Sequence, residues 1–470
     1  MMEKVGSAIK LLNNGDFISQ LPDEILLYIL SFVTFKEGFR TRILSKRWIN
    51  LCTYLACLDF DYCTHDKIAI SRSWNRDESE KQEDFVRRVN KVLQSHNALV
   101  LDEFKVRFEL DNSSEKDINK WLQFAFSRKV KRLELDFSEQ GMLCCYRTNS
   151  YNLACSPSNM IGLDSLKELS LTGVFIFEEI FNHLFHNCQF LECLLIDRCY
   201  VSNYMEISTP SPVLKHLEIY SSPDVESIIV RNANLVSLKL NQVQKLVLEN
   251  VPKLIGLLVC DCVINVVDNV LSRLSCCLSK LEVLTLGIIH KDARRLSRRR
   301  DLPQLPRLKQ LTLQVSGLNE DKSLLGLTDL IRGSPNLGKL AVNLRWPSRK
   351  DENNSTVREL EGVANYPLRH LKVFELTGYY GRTSELELVK FFSENAITLE
   401  KIIIYAREVP DYKKQRRVEE YQFVREYAKK QLKGIVPLQV FVDAILLLVP
   451  CLDSVEFELK SNKREILERI

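Results

Sequence analysis

One alternation of apolar and polar positions recurs along most of the chain: apolar, two residues, apolar, one residue, apolar. It appears as LKELSL from Leu166, LECLLI from Leu191, LKHLEI from Leu214 and LVSLKL from Leu235. It returns as LIGLLV from Leu254, LEVLTL from Leu281, LKQLTL from Leu308 and LGKLAV from Leu337. Looser copies are LDEFKV from Leu101, VKRLEL from Val130, VQKLVL from Val243, LKVFEL from Leu371, LEKIII from Leu399 and LDSVEF from Leu452. Period-2 alternation over so short a run predicts half-buried strands. Turn formers such as Ser211-Pro212, Pro252, Pro306 and Ser334-Pro335 stand just before several copies. Helical stripes fill many of the gaps, as in Glu178–Phe185, Val266–Leu274 and Leu324–Ile331. Further helices are predicted over Phe85–Leu93 and around Ile118, Trp121, Leu122, Ala125 and Phe126.

A strand and a helical return repeating every 20 to 29 residues or so describe a leucine-rich repeat solenoid. Each unit is too small to bury its own face, so neighbours stack into a continuous core. The fold class is therefore α/β, with parallel strands on a concave face and helices and loops on the convex one. The start-to-start spacing drifts, from 27 between Leu281 and Leu308 to only 11 between Val243 and Leu254. That drift predicts an irregular solenoid whose middle, Leu214–Val259, joins its strands by short turns. The non-leucine positions inside each unit face the concavity. Lys215, His216, Glu218, Lys239 and Gln310 are candidate partner contacts there, against a reading of simple solvation.

The stretch from Asp16 to Leu51 has a different period. Ile25, Leu26, Ile29, Leu30 and Val33 form a helical stripe after Leu21-Pro22-Asp23-Glu24. Proline suits a first helical position, and the carboxylates behind it face the positive end of the helix dipole. A second helical piece carries Phe39, Ile43 and Leu44, and Ser45 is placed to cap a third. So small a module shows more apolar surface than it can bury alone. The stripe either packs on the rest of the chain or receives another protein. LPDEILLYILSFV followed by LSKRW closely resembles an F-box, and ISQLPDE, the FRT of Phe39–Thr41 and the LDFDY of Leu58–Tyr62 resemble its plant version. The resemblance implies docking onto a Skp-family adaptor within a cullin-RING (SCF) ubiquitin ligase. It implies adaptor contacts from Leu21, Pro22, Ile25, Leu26, Ile29, Leu30 and Val33, and from Leu44, Ser45, Lys46, Arg47 and Trp48. Two departures stand out. Gly38-Phe39 replaces a small residue followed by an aliphatic one, which implies weaker adaptor binding, and Cys52-Thr53 stands where a Trp-containing stretch is expected.

Leu371–Tyr405 resembles the FBD module that follows the repeats in many plant F-box proteins. Leu371, Lys372, Gly378, Gly381, Glu385, Glu387, Leu388, Asn395, Ala396, Leu399, Glu400 and Lys401 carry the likeness. Ser384 is expected to cap its helix. Beyond it, Val418–Leu432 reads as a charged helix, Leu438–Val449 as an apolar helix and Leu452–Phe457 as a closing strand. The expected organisation is a tail over 1–15, F-box over 16–62, linker and helix over 63–100, repeats over 101–365, FBD module over 366–410 and a closing segment over 411–470.

Composition adds mainly exclusions. The 470 residues carry 65 basic and 61 acidic side chains, a net charge of +4 that favours neither nucleic acid nor membrane. No signal-peptide pattern opens the sequence, and Ala444–Val449 is too short an apolar run to span a bilayer. A soluble intracellular protein of the nucleus or cytoplasm is expected, with its fourteen cysteines reduced. His183-x-x-His186-x-Cys188 is the best metal candidate but lacks a fourth ligand, so no cofactor is expected. The basic run Lys291–Arg300 has no interleaved aromatics and reads as a solvated loop. No phosphate loop, nucleophile elbow or His-Glu-x-x-His helix is present. The expected protein is a non-catalytic subunit that holds a ligase core and an unknown target together. The alternatives are a binding scaffold without ligase function and a sensor holding a small molecule in the concave face.

Overall fold

In the computed structural model, the described residues are 18–61, 78–138, 150–153, 163–177, 184, 187–201, 204–208, 213–220, 225–243, 245–260, 277–291, 304–318, 320–346, 366–379, 381–406 and 445–450. They fall into two units, Met1–Asn203 with Thr209–Asp224, and Tyr204–Ser208 with Val225–Ile470.

The first unit opens with three helices, α1 (Asp23–Leu30), α2 (Phe35–Arg40) and α3 (Lys46–Leu51). Pro22 precedes α1, and Asp23 and Glu24 lie in its first turn. At α2, Thr34 Oγ1 accepts the Glu37 N–H at 3.3 Å while Glu37 Oε2 accepts the Thr34 N–H at 3.0 Å, a reciprocal capping box. Ser45 precedes α3 in extended conformation, but its side chain makes no cap bond. The chain then enters β1 (Cys57–Asp61) and, beyond it, α4 (Glu78–Gln94), β2 (Glu103–Arg107), α5 (Glu115–Ser127) and β3 (Arg132–Asp136). Leu58–Asp61 of the LDFDY segment thus lie in the edge strand of the described repeat sheet, in full parallel register with β2.

Next come β4 (Asn152–Leu153), β5 (Glu168–Thr172), β6 (Phe175–Ile176), β7 (Cys193–Asp197), β8 (Tyr200–Val201), β9 (Tyr204–Ser208, part of the second unit) and β10 (His216–Tyr220). The main sheet of the first unit runs β1-β2-β3-β5-β7-β10, with the described pairs parallel. A second, smaller sheet runs β4-β6-β8.

The second unit adds β11 (Ser227–Arg231), β12 (Ser237–Asn241), β13 (Lys245–Glu249), β14 (Gly256–Cys260), β15 (Val283–Ile289) and β16 (Gln310–Ser316). It continues through α6 (Thr328–Arg332), β17 (Lys339–Leu344), β18 (Val373–Tyr379), α7 (Thr383–Asn395), β19 (Lys401–Ala406) and β20 (Ile445–Pro450). Its main sheet is β12-β14-β15-β16-β17-β18-β19-β20, again parallel. In both units the leucine anchors of the repeat pattern are the buried positions, as at Leu169 and Leu171 or Leu311 and Leu313.

The return segments differ from expectation. Helices appear where repeats are long, as α5, α6 and α7 do. Where repeats are short the return is a strand: β9, β11 and β13 form their own parallel sheet. Only 21 residues separate Leu214 from Leu235 and 19 separate Leu235 from Leu254. That length holds two strands and two corners, not a helix. The anomalous spacing of 11 disappears, because VQKLVL is β13, a return strand rather than a repeat of the main sheet. The stripe over 266–274 and most of that over 178–185 lie outside the described residues.

Corners are made by left-handed residues directly after strands: Gly173, Arg198, Asn232, Gln242, Asn250 and Gly317. Four of them extend the ladder by one bond. Gly173 donates to Asp197 O, Arg198 to Tyr220 O, Asn232 to Glu249 O and Gln242 to Cys260 O, at 3.0–3.1 Å. The chain leaves the sheet while its last N–H stays satisfied.

Two further expectations are corrected near the C-terminal end. Ser384 does not cap α7; its own N–H and that of Thr383 are accepted by the Asp321 carboxylate at 3.0 and 2.9 Å. Glu385 turns back to accept from Gly381 N at 2.7 Å and Trp346 Nε1 at 2.7 Å. Of the predicted apolar helix over Leu438–Val449, residues 438–444 lie outside the described residues, and from Ile445 on it is contradicted by β20, which pairs in register with β19. A short apolar run fits either element, and the open edge of β19 decides between them. The segments 418–432 and 452–457 lie outside the described residues.

Candidate functional site

Helix α1 is apolar on two sides. Leu26 and Leu30 point inward and join Trp48, Leu51, Cys52 and Leu55 in one buried cluster. Ile25, Tyr28, Ile29 and Phe32 follow the spacing i, i+3, i+4, i+7 and point outward. Tyr28 and Phe32 are 64% and 72% exposed, their rings edge to face at 4.8 Å. Val33, Ile43, Leu44 and Ile49 are exposed as well. Fully covering a side chain of this size contributes roughly 1.5–3 kcal/mol. The module therefore carries a second apolar face that its own fold leaves in water, as interaction surfaces do.

The twelve residues singled out from the sequence divide accordingly. Ile25, Ile29, Val33 and Leu44 lie on the outward face, with Pro22, Ser45 and Lys46 also exposed and Leu21 half-buried against the core. Leu26, Leu30 and Trp48 are buried at 0%, 4% and 4% exposure in the core of the module. Arg47 is turned inward too: Nε donates to Asp23 Oδ1 at 2.7 Å and Nη2 to Leu21 O at 2.5 Å. This part-exposed pair ties α3 to the start of α1, a small term beside the apolar core. Sequence reading missed Tyr28, Phe32, Ile43 and Ile49. The i, i+7 relation of Ile25 and Phe32 carried the signal.

The two departures from the F-box pattern prove to be neighbours. Gly38 is buried, and its carbonyl accepts from Cys52 Sγ at 3.1 Å and Thr41 Oγ1 at 2.7 Å. A Cβ on Gly38 would meet Leu55 Cδ1 at 3.4 Å, an ordinary contact. The glycine thus sits behind the exposed face, not on it. Gly38→Ala is expected to raise stability by about 0.5–1 kcal/mol through helix propensity. Thermal unfolding of the full chain checks this, and a lower midpoint would refute it.

The solvent-facing sides of the two main sheets differ in chemistry. In the first unit charges interlock: Arg107 reaches Asp61 at 3.1 Å and Glu134 at 3.0 Å, and Lys105 reaches Glu103 at 2.7 Å. Burial opposes the Arg107 charge, but hydrogen bonding to Glu134 and the carboxylates around it raise its pKa. Burial also pushes the Asp59 carboxyl up. Of the expected contacts, Lys215 is held by Glu192 at 2.7 Å, and Glu218 accepts from Tyr220 Oη at 3.1 Å. His216 opens β10 beside Cys193. In the second unit, where Lys239 and Gln310 lie, Thr285, Thr312, Gln314, Asn343 and Thr377 line the face, and Lys339 pairs with Glu375 at 2.9 Å. On the described strands of the first unit Lys105 and Arg107 are paired with carboxylates, and Lys215 just before β10 is paired likewise. Among the described residues no group of three or more histidine, cysteine or acidic side chains is placed to hold a metal. His183, His186 and residues 292–300 lie outside them; Cys188 is buried. No described helix is long and apolar enough to cross a membrane.

Comparisons with known proteins fit this division. Residues 18–59 match the F-box domain model, and residues 92–435 match the model of the At1g61320/AtMIF1 LRR domain. FBD-associated F-box protein At4g10400 of Arabidopsis thaliana is 30% identical over 258 residues, 51% of this chain and 60% of the relative. FBD-associated F-box protein At5g38590 is 28% identical over 86% of this chain and 97% of the relative, and F-box/FBD/LRR-repeat protein At5g56420 is 24% identical over 83% and 91%, both from the same plant.

Proposed function

This chain belongs to the family of the At1g61320/AtMIF1 LRR domain and carries an F-box domain, and from that premise we propose that it is the substrate-recognition subunit of an SCF-type ubiquitin ligase. The observation that carries the reading is the second apolar face of the F-box module. Ile25, Tyr28, Ile29 and Phe32 form a stripe of the kind that packs into another protein's groove. In this reading a Skp-family adaptor covers the stripe, with Ile43, Leu44 and Ile49 at its margin, and links the chain to a cullin-RING core. The repeats hold the target. The chain itself performs no chemistry: it supplies proximity, raising the target's effective concentration beside the loaded enzyme.

The test is direct titration of the full chain with a plant Skp-family adaptor, wild type against an Ile25→Asp, Ile29→Asp double variant. Both positions are exposed in the free chain, so the variant should melt as wild type does. Its affinity should fall at least about thirtyfold, since two carboxylates would be stranded in an apolar contact. An adaptor that does not bind the wild type removes the ligase reading. Equal binding by both proteins removes the assigned surface.

A further inference from the structure

The F-box helices and the repeat sheet share more than a covalent join. Ala56 O accepts the N–H groups of Asp102 and Glu103 at 2.8 and 3.2 Å, so β1 and β2 are stitched from their first residues. Thr53 O accepts the Asn97 N–H at 2.8 Å, and Thr53 Oγ1 accepts Asn97 Nδ2 at 3.1 Å. Between these bonds lies His96, only 5% exposed, whose Nε2 is 2.9 Å from Leu55 O. Leu55 belongs to the F-box core, whereas His96 follows α4. Arg128, just beyond α5, steadies the same loop. Its Nε donates to Ala98 O at 3.2 Å, and its guanidinium lies 3.6 Å over the Phe124 ring.

Apolar contacts run the same way. Phe35 of α2 meets Phe60 of β1 with ring centres 5.4 Å apart, Phe60 meets Phe104 of β2 at 5.9 Å, and Phe104 meets Phe124 of α5 at 6.3 Å. The His96 ring packs edge to face on Phe124 at 5.6 Å. A stack of repeats ends in an apolar face that a terminal cap must cover. Among the described residues no separate repeat precedes β1, and Phe35 of α2 lies against it.

We propose that the F-box helices are the N-terminal cap of the first unit's repeat sheet, and that His96 is the positioning residue that locks them there. Resting on the ligase reading, a consequence follows: an adaptor gripping α1 is held in one orientation to the strand face of that unit. The lock is built for a neutral imidazole. His96 Nδ1 is buried without a hydrogen-bond partner; burial lowers the pKa of the ring, the hydrogen bond to Leu55 O opposes this in part, and the nearby Arg128 charge lowers it further. Protonation would put a second N–H where nothing accepts it.

Hydrogen exchange on the full chain tests the lock, read in peptides spanning 57–61, 103–107 and 23–30. His96→Ala should speed exchange in β1 and β2 at least about tenfold. Protection of α1 and affinity for the adaptor should stay as in wild type. His96→Gln should restore protection, because its amide can donate to Leu55 O. The pH profile separates positioning from packing. Corrected for intrinsic exchange rates, wild-type β1 should lose protection as the pH falls below the ordinary histidine value of about 6.5, and His96→Gln should not. Trp48→Ala, which opens the F-box core, should unprotect β1 and β2 together with α1. The proposal is overturned if His96→Ala leaves β1 and β2 unchanged, or if they stay protected while α1 opens. An adaptor that binds no variant, wild type included, would defeat the ligase reading and leave these exchange results to decide the cap.

Discussion

Gly378→Ala should be among the most damaging single substitutions in the described residues, costing on the order of 3–5 kcal/mol. Gly378 lies within β18 at φ +82, where the register with β19 slips between Thr377 and Tyr379. A Cβ there would collide with the carbonyl oxygen of Leu344 on β17. That oxygen is backbone inside a parallel sheet, so it cannot move without breaking the ladder. Alanine would also have to hold a left-handed conformation that L-residues avoid. Both penalties fall on the strand that aligns Phe374 and Leu376 in the core and ends in the buried Tyr379. The midpoint of thermal unfolding should drop by about 10 °C, and a change under about 2 °C would show that the bulge has slack.

Trp48→Ala is the second large effect. The side chain is 4% exposed and touches the cluster of Leu26, Leu30, Leu51, Cys52 and Leu55. Removing a buried tryptophan costs about 3–5 kcal/mol, from lost transfer and from the cavity left behind. A module of three short helices has little else to hold it. Circular dichroism should show loss of helix, and adaptor capture should vanish with it. Ile49→Ala, one residue on but on the exposed side of α3, should change stability by no more than about 0.5 kcal/mol. If the two substitutions destabilise equally, Trp48 is not the anchor of this core.

The contrast between Trp48 and Ile49 shows how far sequence reading reaches here. Both are apolar, both lie in one helix, and only the fold tells them apart. The same holds in α1. Its apolar positions are legible in the sequence, whose spacing reads Leu26 and Leu30 together with Ile25 and Ile29 as one stripe. The helix carries two stripes, and packing against Trp48 and Leu55 chooses which is inward. Tyr28 and Phe32 are not among the positions that the F-box resemblance marks.

The order of elements, the parallel strands and the absence of catalytic motifs follow from local patterning: leucines at fixed intervals fix which side of each strand is buried, whatever its neighbours are. Three features depended on tertiary contact. The return segments of the short repeats, 19 to 23 residues from leucine to leucine, became β9, β11 and β13, which pair with one another into a sheet of their own. The closing apolar run became β20, because the edge of β19 offered hydrogen bonds that a helix would leave unused. The F-box became part of the repeat stack through Phe35, His96 and Arg128, residues that no motif marks. Periodicity is written in the chain one residue after another. The choice of which apolar side finds a partner, and which stays in water, is made by residues tens of positions apart, and only folding brings them together.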